Sequence, residues 1–133
     1  MEMQLGKVAI LDLNDAEHWN RWIVGTPDAV PESSPFYSTQ IQVAYVNNPK
    51  REWFFKLQEE HWHTTIEEYY LVLQGALKVK VEETILTVKP MQLLVVPPKK
   101  RHTIIDFSSP LQYFLIRAQN KDTKITAKHA FFE

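Results

Sequence analysis

Two imidazoles and a carboxylate fall close together in the run His61-Trp62-His63-Thr64-Thr65-Ile66-Glu67-Glu68. Side chains two apart on an extended strand share a face, so His61 and His63 point one way and Trp62 the other. Glu68 follows His63 by five positions, and in an unbroken strand it would face away. A corner at Thr64-Thr65-Ile66, followed by a neighbouring strand, returns Glu68 to the histidine side and leaves Glu67 outside. Imidazole and carboxylate are borderline donors that suit a divalent transition metal rather than Ca or Mg. A His-x-His pair by itself is more often surface histidine than a ligand pair, so the reading depends on what else the chain brings to that face. The sequence has no Cys, which removes disulfides, thiolate metal sites and thiol nucleophiles from the possible chemistries.

The elements that must position these groups are mostly strands. At 133 residues the chain suits one domain, 1–133. Near its start, Asn14 and Glu17 read as a capping box, opening a short helix with Trp19, Trp22 and Ile23 on one face. Gly25, Pro27 and Pro31 stop that helix, and the Pro- and Ser-rich stretch 25–38 reads as a loop or flap. Residues 1–38 are thus a helix-and-loop arm. From Thr39 the period becomes two. Strands are expected at Ile41–Tyr45, Glu52–Leu57, Glu68–Leu73, Leu77–Val81, Thr84–Val88, Leu93–Val96, Thr103–Phe107 and Leu111–Ala118. Short strands punctuated by turns predict an all-β sandwich or barrel over 39–118. A polar tail occupies 119–133, and its end, His129-Ala-Phe-Phe, is expected to dock on the barrel or on a second subunit. His18 and His129 stand outside any metal pattern.

With Glu68 as the acid, Gly75 completes the spacing of the first cupin motif, which the stretch from His61 to Gly75 resembles. Val96-Pro97-Pro98-Lys99-Lys100-Arg101-His102 is similar to the second cupin motif, in which a His follows Pro by five positions; Pro97 and His102 match. Three glycines of the pattern are absent. Phe55 stands six residues before His61, Met91 six before Pro97, and Lys99 two after it. Because glycine in such places usually supplies a positive φ, the turn before His102 is expected to take another shape. The resemblance implies a cupin double-stranded β-helix (jelly-roll barrel) with a short N-terminal helix. It further implies that His61, His63, Glu68 and His102 hold one divalent transition metal ion, drawn from Fe, Mn, Ni, Cu, Co or Zn.

Strand parity places Tyr70 and Val72 beside Glu68, and Ile104 and Asp106 beside His102. Tyr70 and Asp106 are therefore candidates for the substrate pocket; Asp106 either orients a ligating ring or, the favoured reading, lies at the strand end in water. Trp53, Phe55 and Leu57 are candidate barrel-lining residues. Lys99-Lys100-Arg101 either forms a solvated turn or adds positive charge at the pocket rim. The implied activity is a metal-dependent reaction on a small organic substrate, first a dioxygenase-type oxidoreductase with Glu68 as ligand or, if displaced, base. The alternatives are an isomerase or lyase that uses no O₂, and a non-catalytic small-ligand-binding cupin. Fifteen Lys+Arg balance sixteen Asp+Glu for a net charge of -1, which gives no general pull toward nucleic acid or anionic membrane. No apolar run approaches the ~18 residues of a membrane span, and the N-terminal sequence does not resemble a secretory signal. A cytoplasmic homodimer is expected.

Overall fold

The structure, a computed structural model, describes residues 8–26, 30–118 and the backbone of 124–125. Strands β1 (Arg21–Val24), β2 (Ile41–Asn47), β4 (Glu68–Val81), β5 (Thr84–Val88), β6 (Leu93–Val96) and β7 (His102–Ala118) form one antiparallel sheet. They are joined by helix α1 (Arg51–Lys56) and a small pair, β3 (Trp62–His63) with β8 (Lys124–Ile125). The order is β1-β2-β7-β4-β5, with β6 also on β4. The fold is all-β, as the two-residue periodicity predicts. The expected docking of His129 and its neighbours lies outside the described residues.

The scaffold is the long antiparallel pair of β4 and β7. One half of β4 lies between β6 and the end of β7, with Glu68 opposite both Val96 and Arg117. The other half lies between β5 and the start of β7, with Val81 opposite His102. Each strand was expected as two, broken at Gln74-Gly75 and around Ser108-Ser109-Pro110. Both run through. The sequence break marks a bend, with register shifts on either side of Gln74. Gly75 has φ +73°, and a Cβ there would collide with the Ser108 and Pro110 carbonyl oxygens of β7. The inner faces of the two strands bury Val72, Leu77, Val79, Leu111 and Tyr113 completely.

Two expected elements are corrected. The N-terminal helix is only a 3-10 turn, Ala16–His18, capped by the Asp15 side chain rather than by Asn14. Asn20 adopts φ 60° and ends it. The Asn20 amide brackets Asn47 through two hydrogen bonds, 3.0 and 3.2 Å. Trp22 and Ile23 consequently lie on β1, where main-chain pairing with β2 wins over a helical spacing of apolar residues. The segment expected as a strand at Glu52–Leu57 is α1. Its Phe54 is fully buried and meets Phe107 edge-on at 5.1 Å. Arg51 closes the contact, stacking over Phe107 and bonding the Phe107 carbonyl at 2.7 Å. Trp53 is exposed while Phe55 stacks on Phe107 and packs against the core, so Trp53, Phe55 and Leu57 do not line the barrel as an alternating strand.

At two of the three missing glycines the backbone keeps a positive φ, while Phe55 lies in α1. Met91 and Lys99 occupy the left-handed region at φ 65° and 69°, where a residue with a Cβ is strained by roughly 1 kcal/mol. The turn before His102 therefore does not take the other shape that its sequence suggests. Local bonds hold it: the Lys99 N–H donates to the His63 carbonyl at 2.6 Å and the Met91 N–H to the Val72 carbonyl at 2.7 Å. Lys99→Gly is expected to change stability by between zero and about +1 kcal/mol, since relieved strain is set against added unfolded-state entropy. Gly75→Ala is expected to cost more than ~2 kcal/mol. Urea melts of both variants check this, and a clear loss of stability in Lys99→Gly would contradict the account of the turn.

Candidate metal centre

His61 and His102 lie 41 positions apart in sequence yet are joined backbone to backbone. Each donates its N–H to the other's carbonyl, at 3.1 and 2.9 Å. Such a reciprocal antiparallel pair puts both side chains on one side, and the ring centroids are 4.3 Å apart. His63, two residues on, follows them inward and is buried, while Trp62 turns the other way beneath the Arg101 guanidinium. Glu68 enters from β4, 1% exposed. The corner expected at Thr64-Thr65-Ile66 is present as a bend and not a strand, and Ile66 is buried as its anchor.

The three rings converge on one oxygen. The Nε2 atoms of His102, His63 and His61 lie 2.6, 3.2 and 3.4 Å from Glu68 Oε1. Two rings are oriented from behind by the same local device. Nδ1 of His61 bonds the Glu59 carbonyl and Nδ1 of His102 the Lys100 carbonyl, both at 2.9 Å. A ring whose Nδ1–H is committed to a carbonyl turns its Nε2 toward the interior. His61, His63 and Glu68 offer ligand atoms within 4.8 Å of one another, and His102 joins them through its short contact to Glu68. Imidazole and carboxylate bind such ions at about 2.0–2.2 Å, so adjacent donors should stand roughly 3 Å apart, as each imidazole Nε2 does from Glu68 Oε1. The group could bind a metal.

Charge is what the site concentrates. Burial alone would push the Glu68 carboxyl up, but the close contacts of the His102, His61 and His63 rings outweigh it and hold the group well below the usual carboxylate range. Burial pushes His61 down, only partly offset by Glu68. Around them stand two phenols. Tyr70 is buried with its ring 6.3 Å from that of His102, as its parity with Glu68 predicts. Tyr113, directly behind it at 6.0 Å, has a buried hydroxyl with no hydrogen-bond partner. Burial and the Glu68 charge push both phenols up, so they remain protonated donors.

Asp106 is not part of this pocket. A bulge on β7, opposite Lys78 and Val79 of β4, leaves Ile105 without a partner, pairing Lys78 with Asp106 and Val79 with Ile104. The extra residue inverts the alternation. Ile104 and Phe107 are buried, Ile105 is exposed, and the Asp106 side chain is half exposed in an ion pair with Arg51 at 2.5 Å. That bond, with help from the Phe107 N–H, holds its carboxyl below the ordinary range. Lys99, Lys100 and Arg101 are exposed. The cation beside the cluster is Arg117, which the sequence reading missed. Its Nη1 is 3.6 Å from Glu68 Oε2 and 3.5 Å from His63 Nε2. The alternation Leu111, Tyr113, Leu115, Arg117 carries the signal, since three of the four are buried apolar or aromatic residues of one face.

Residues 56–116 match the cupin domain family. No curated protein matches the sequence. Among solved structures, PAC13 of Streptomyces, determined with uridine, is 16% identical at a TM-score of 0.49, over 66% of this chain and 70% of that one. KdgF from Halomonas sp. is 11% identical at 0.48, over 63% and 73%. A cupin protein from Bacteroides fragilis is 18% identical at 0.48, over 63% and 70%.

The two shifts act in one direction on stability. His61 and Glu68 both release their protons more readily folded than unfolded, so their contributions are complete above the unfolded values and fade as pH falls through the folded ones. The protein stripped of metal by a chelator is expected to hold a level melting temperature above about pH 7 and to lose stability below about pH 6.5, with Glu68 adding a second loss under about pH 4. Thermal melts from pH 8 to pH 3 read this, and stability that rises on acidification would contradict the burial of a neutral His61.

Proposed function

Residues 56–116 match the cupin domain family, and from that match we propose that the chain is a cupin and a metal-dependent enzyme acting on a small organic substrate. One observation carries the proposal: three imidazole Nε2 atoms surround a single buried carboxylate oxygen at 2.6–3.4 Å. His61, His63, Glu68 and His102 would hold the ion. Bound there, a divalent transition metal supplies Lewis-acid polarisation of substrate oxygens and, where it is redox-active, electron exchange with dioxygen.

The chain's own groups do the rest. His61 and His102, fixed through Nδ1, keep their Nε2 atoms aimed inward without rearrangement. Glu68, surrounded by donors, stays anionic, which suits a ligand; it becomes a proton acceptor only when freed of those partners. Tyr70 and Tyr113 remain protonated and can donate to a developing oxyanion. Polar groups of this kind beside the cluster support catalysis over passive ligand storage, which would be served by a filled aliphatic pocket. A dioxygenase-type oxidoreductase is the first form of the proposal. The two protonated phenols favour a second, an isomerase or lyase that passes through an enediolate and consumes no O₂.

Elemental analysis of protein purified without a histidine tag is expected to find one transition metal ion per chain. His61→Ala and His102→Ala are each expected to lower metal affinity by at least tenfold, an order-of-magnitude figure. Wild-type protein lacking metal under these conditions would sink the proposal. Because binding needs the imidazole lone pairs, affinity is expected to fall below about pH 6.5. Metal content unchanged at pH 5 would argue against histidine ligation. Turnover compared with and without air then separates the two forms of the reaction.

A further inference from the structure

We infer that Arg117 anchors the carboxylate of a small chelating acid, a 2-hydroxy or 2-oxo acid, at the metal centre. The inference deepens the metal-enzyme reading and rests on it. Arg117 lies directly across from Glu68 in the β4–β7 register, at the end of the inward row that begins with Leu111. Its guanidinium is held from behind on two sides. Nε donates to Gln42 Oε1 at 2.7 Å, and the guanidinium carbon sits 4.7 Å from the centre of the buried Trp22 ring. Both supports come from strands that the metal cluster does not use. What they leave free is the outer fork, turned toward the cluster.

That fork lacks a good acceptor. Its two contacts, 3.5 Å to His63 Nε2 and 3.6 Å to Glu68 Oε2, exceed the 2.7–2.9 Å of a charge-assisted bond. A metal ion would take the His63 lone pair and leave only the distant Glu68 oxygen. It would also place a dication beside a guanidinium, with Glu68 as the one anion between them. A buried excess of positive charge is costly, and an anionic ligand removes it. A planar carboxylate matches the fork, while an oxygen on the adjacent carbon reaches the ion in the same pose. Four protein donors leave two positions on an octahedral ion, which is the number such a chelate needs.

A merely structural Arg117 would neutralise Glu68 and nothing more, so its loss would spare ligand selectivity. The test uses Zn-loaded protein, elemental analysis, and calorimetric titration with glycolate, its neutral amide glycolamide, and inorganic phosphate. Wild type is expected to prefer glycolate over glycolamide. Arg117→Met is expected to keep its stoichiometric zinc and bind glycolate about 10- to 100-fold more weakly, with glycolamide changed by less than about threefold. Should Arg117→Met fail to fold, Arg117→Lys and Gln42→Leu carry the test. Lys keeps the charge but not the fork, and Leu loosens its support, so each should lower glycolate affinity several-fold and leave zinc unchanged. Zinc-loaded Arg117→Met binding glycolate as wild type does, or losing both ligands equally, overturns the assignment alone. Phosphate bound as tightly as glycolate overturns the carboxylate class. A wild-type protein that takes up no zinc overturns the metal centre itself, and the anchor with it.

Discussion

A single carboxylate, buried to 1% exposure on β4 between β6 and β7, is the constraint around which the site is organised. Removing such a group from water costs several kcal/mol unless its oxygens are paired, and breaking a buried pair costs about 3–5 kcal/mol. Glu68 meets that requirement with three imidazoles on one oxygen and Arg117 near the other. The imidazoles come from β3, from the residue that precedes it and from the start of β7, and the guanidinium from the far end of β7. A charge that must be balanced from both ends of one strand ties those ends together. The same convergence that pairs the carboxylate creates a cluster of metal donors.

Precision in that cluster comes from backbone, from strand and turn alike. The reciprocal His61–His102 pair is a main-chain bond, and both rings take their tilt from carbonyls two residues earlier. The Lys99 N–H is bonded to the His63 carbonyl, so the strained left-handed residue fixes the second histidine while leading into the third. Strain of roughly 1 kcal/mol at Lys99 and again at Met91 is therefore borne where the backbone bonds that position the donors form. This is why the turn survives the loss of its glycines: hydrogen bonds to β3 and β4 determine its course more strongly than local preference does.

What could be read from the sequence follows the same division. Fixed spacing carried His61, His63, Glu68, Gly75 and His102, because each offset reflects a bend or face that backbone geometry dictates. Patterns that depend on period misled in three places. Glu52–Leu57 is short and aromatic, and six residues do not distinguish a strand from the turn and a half of helix that α1 makes. Trp19, Trp22 and Ile23 have helical spacing, yet β2 offers Arg21, Trp22 and Val24 a ladder that a three-residue turn cannot match. Asp106 shares parity with His102 only in an unbroken strand, and the bulge at Ile105 leaves no mark in residue types. Arg117 was overlooked for the opposite reason. Its parity from Leu111 is intact, but a charged residue near a strand end reads as solvated until the strand is known to continue inside the sheet.

The position of Arg117 also bears on which ligands such a centre can hold. A metal cluster enclosed by carboxylate and imidazoles alone leaves one surplus positive charge from a dication, and neutral or singly charged ligands satisfy it about equally. Adding a guanidinium on β7, with Trp22 covering one face and Gln42 taking its Nε donor, raises the surplus and gives it a direction. The field then favours an anion lying between the ion and the fork over one on any other side. Tyr113 lies two pairs along the same inner row, its hydroxyl buried and unpartnered, so the interior has a further donor to offer an acid. Selectivity of that kind needs no closing lid. It follows from holding one cation rigidly next to another in a volume from which water is largely excluded.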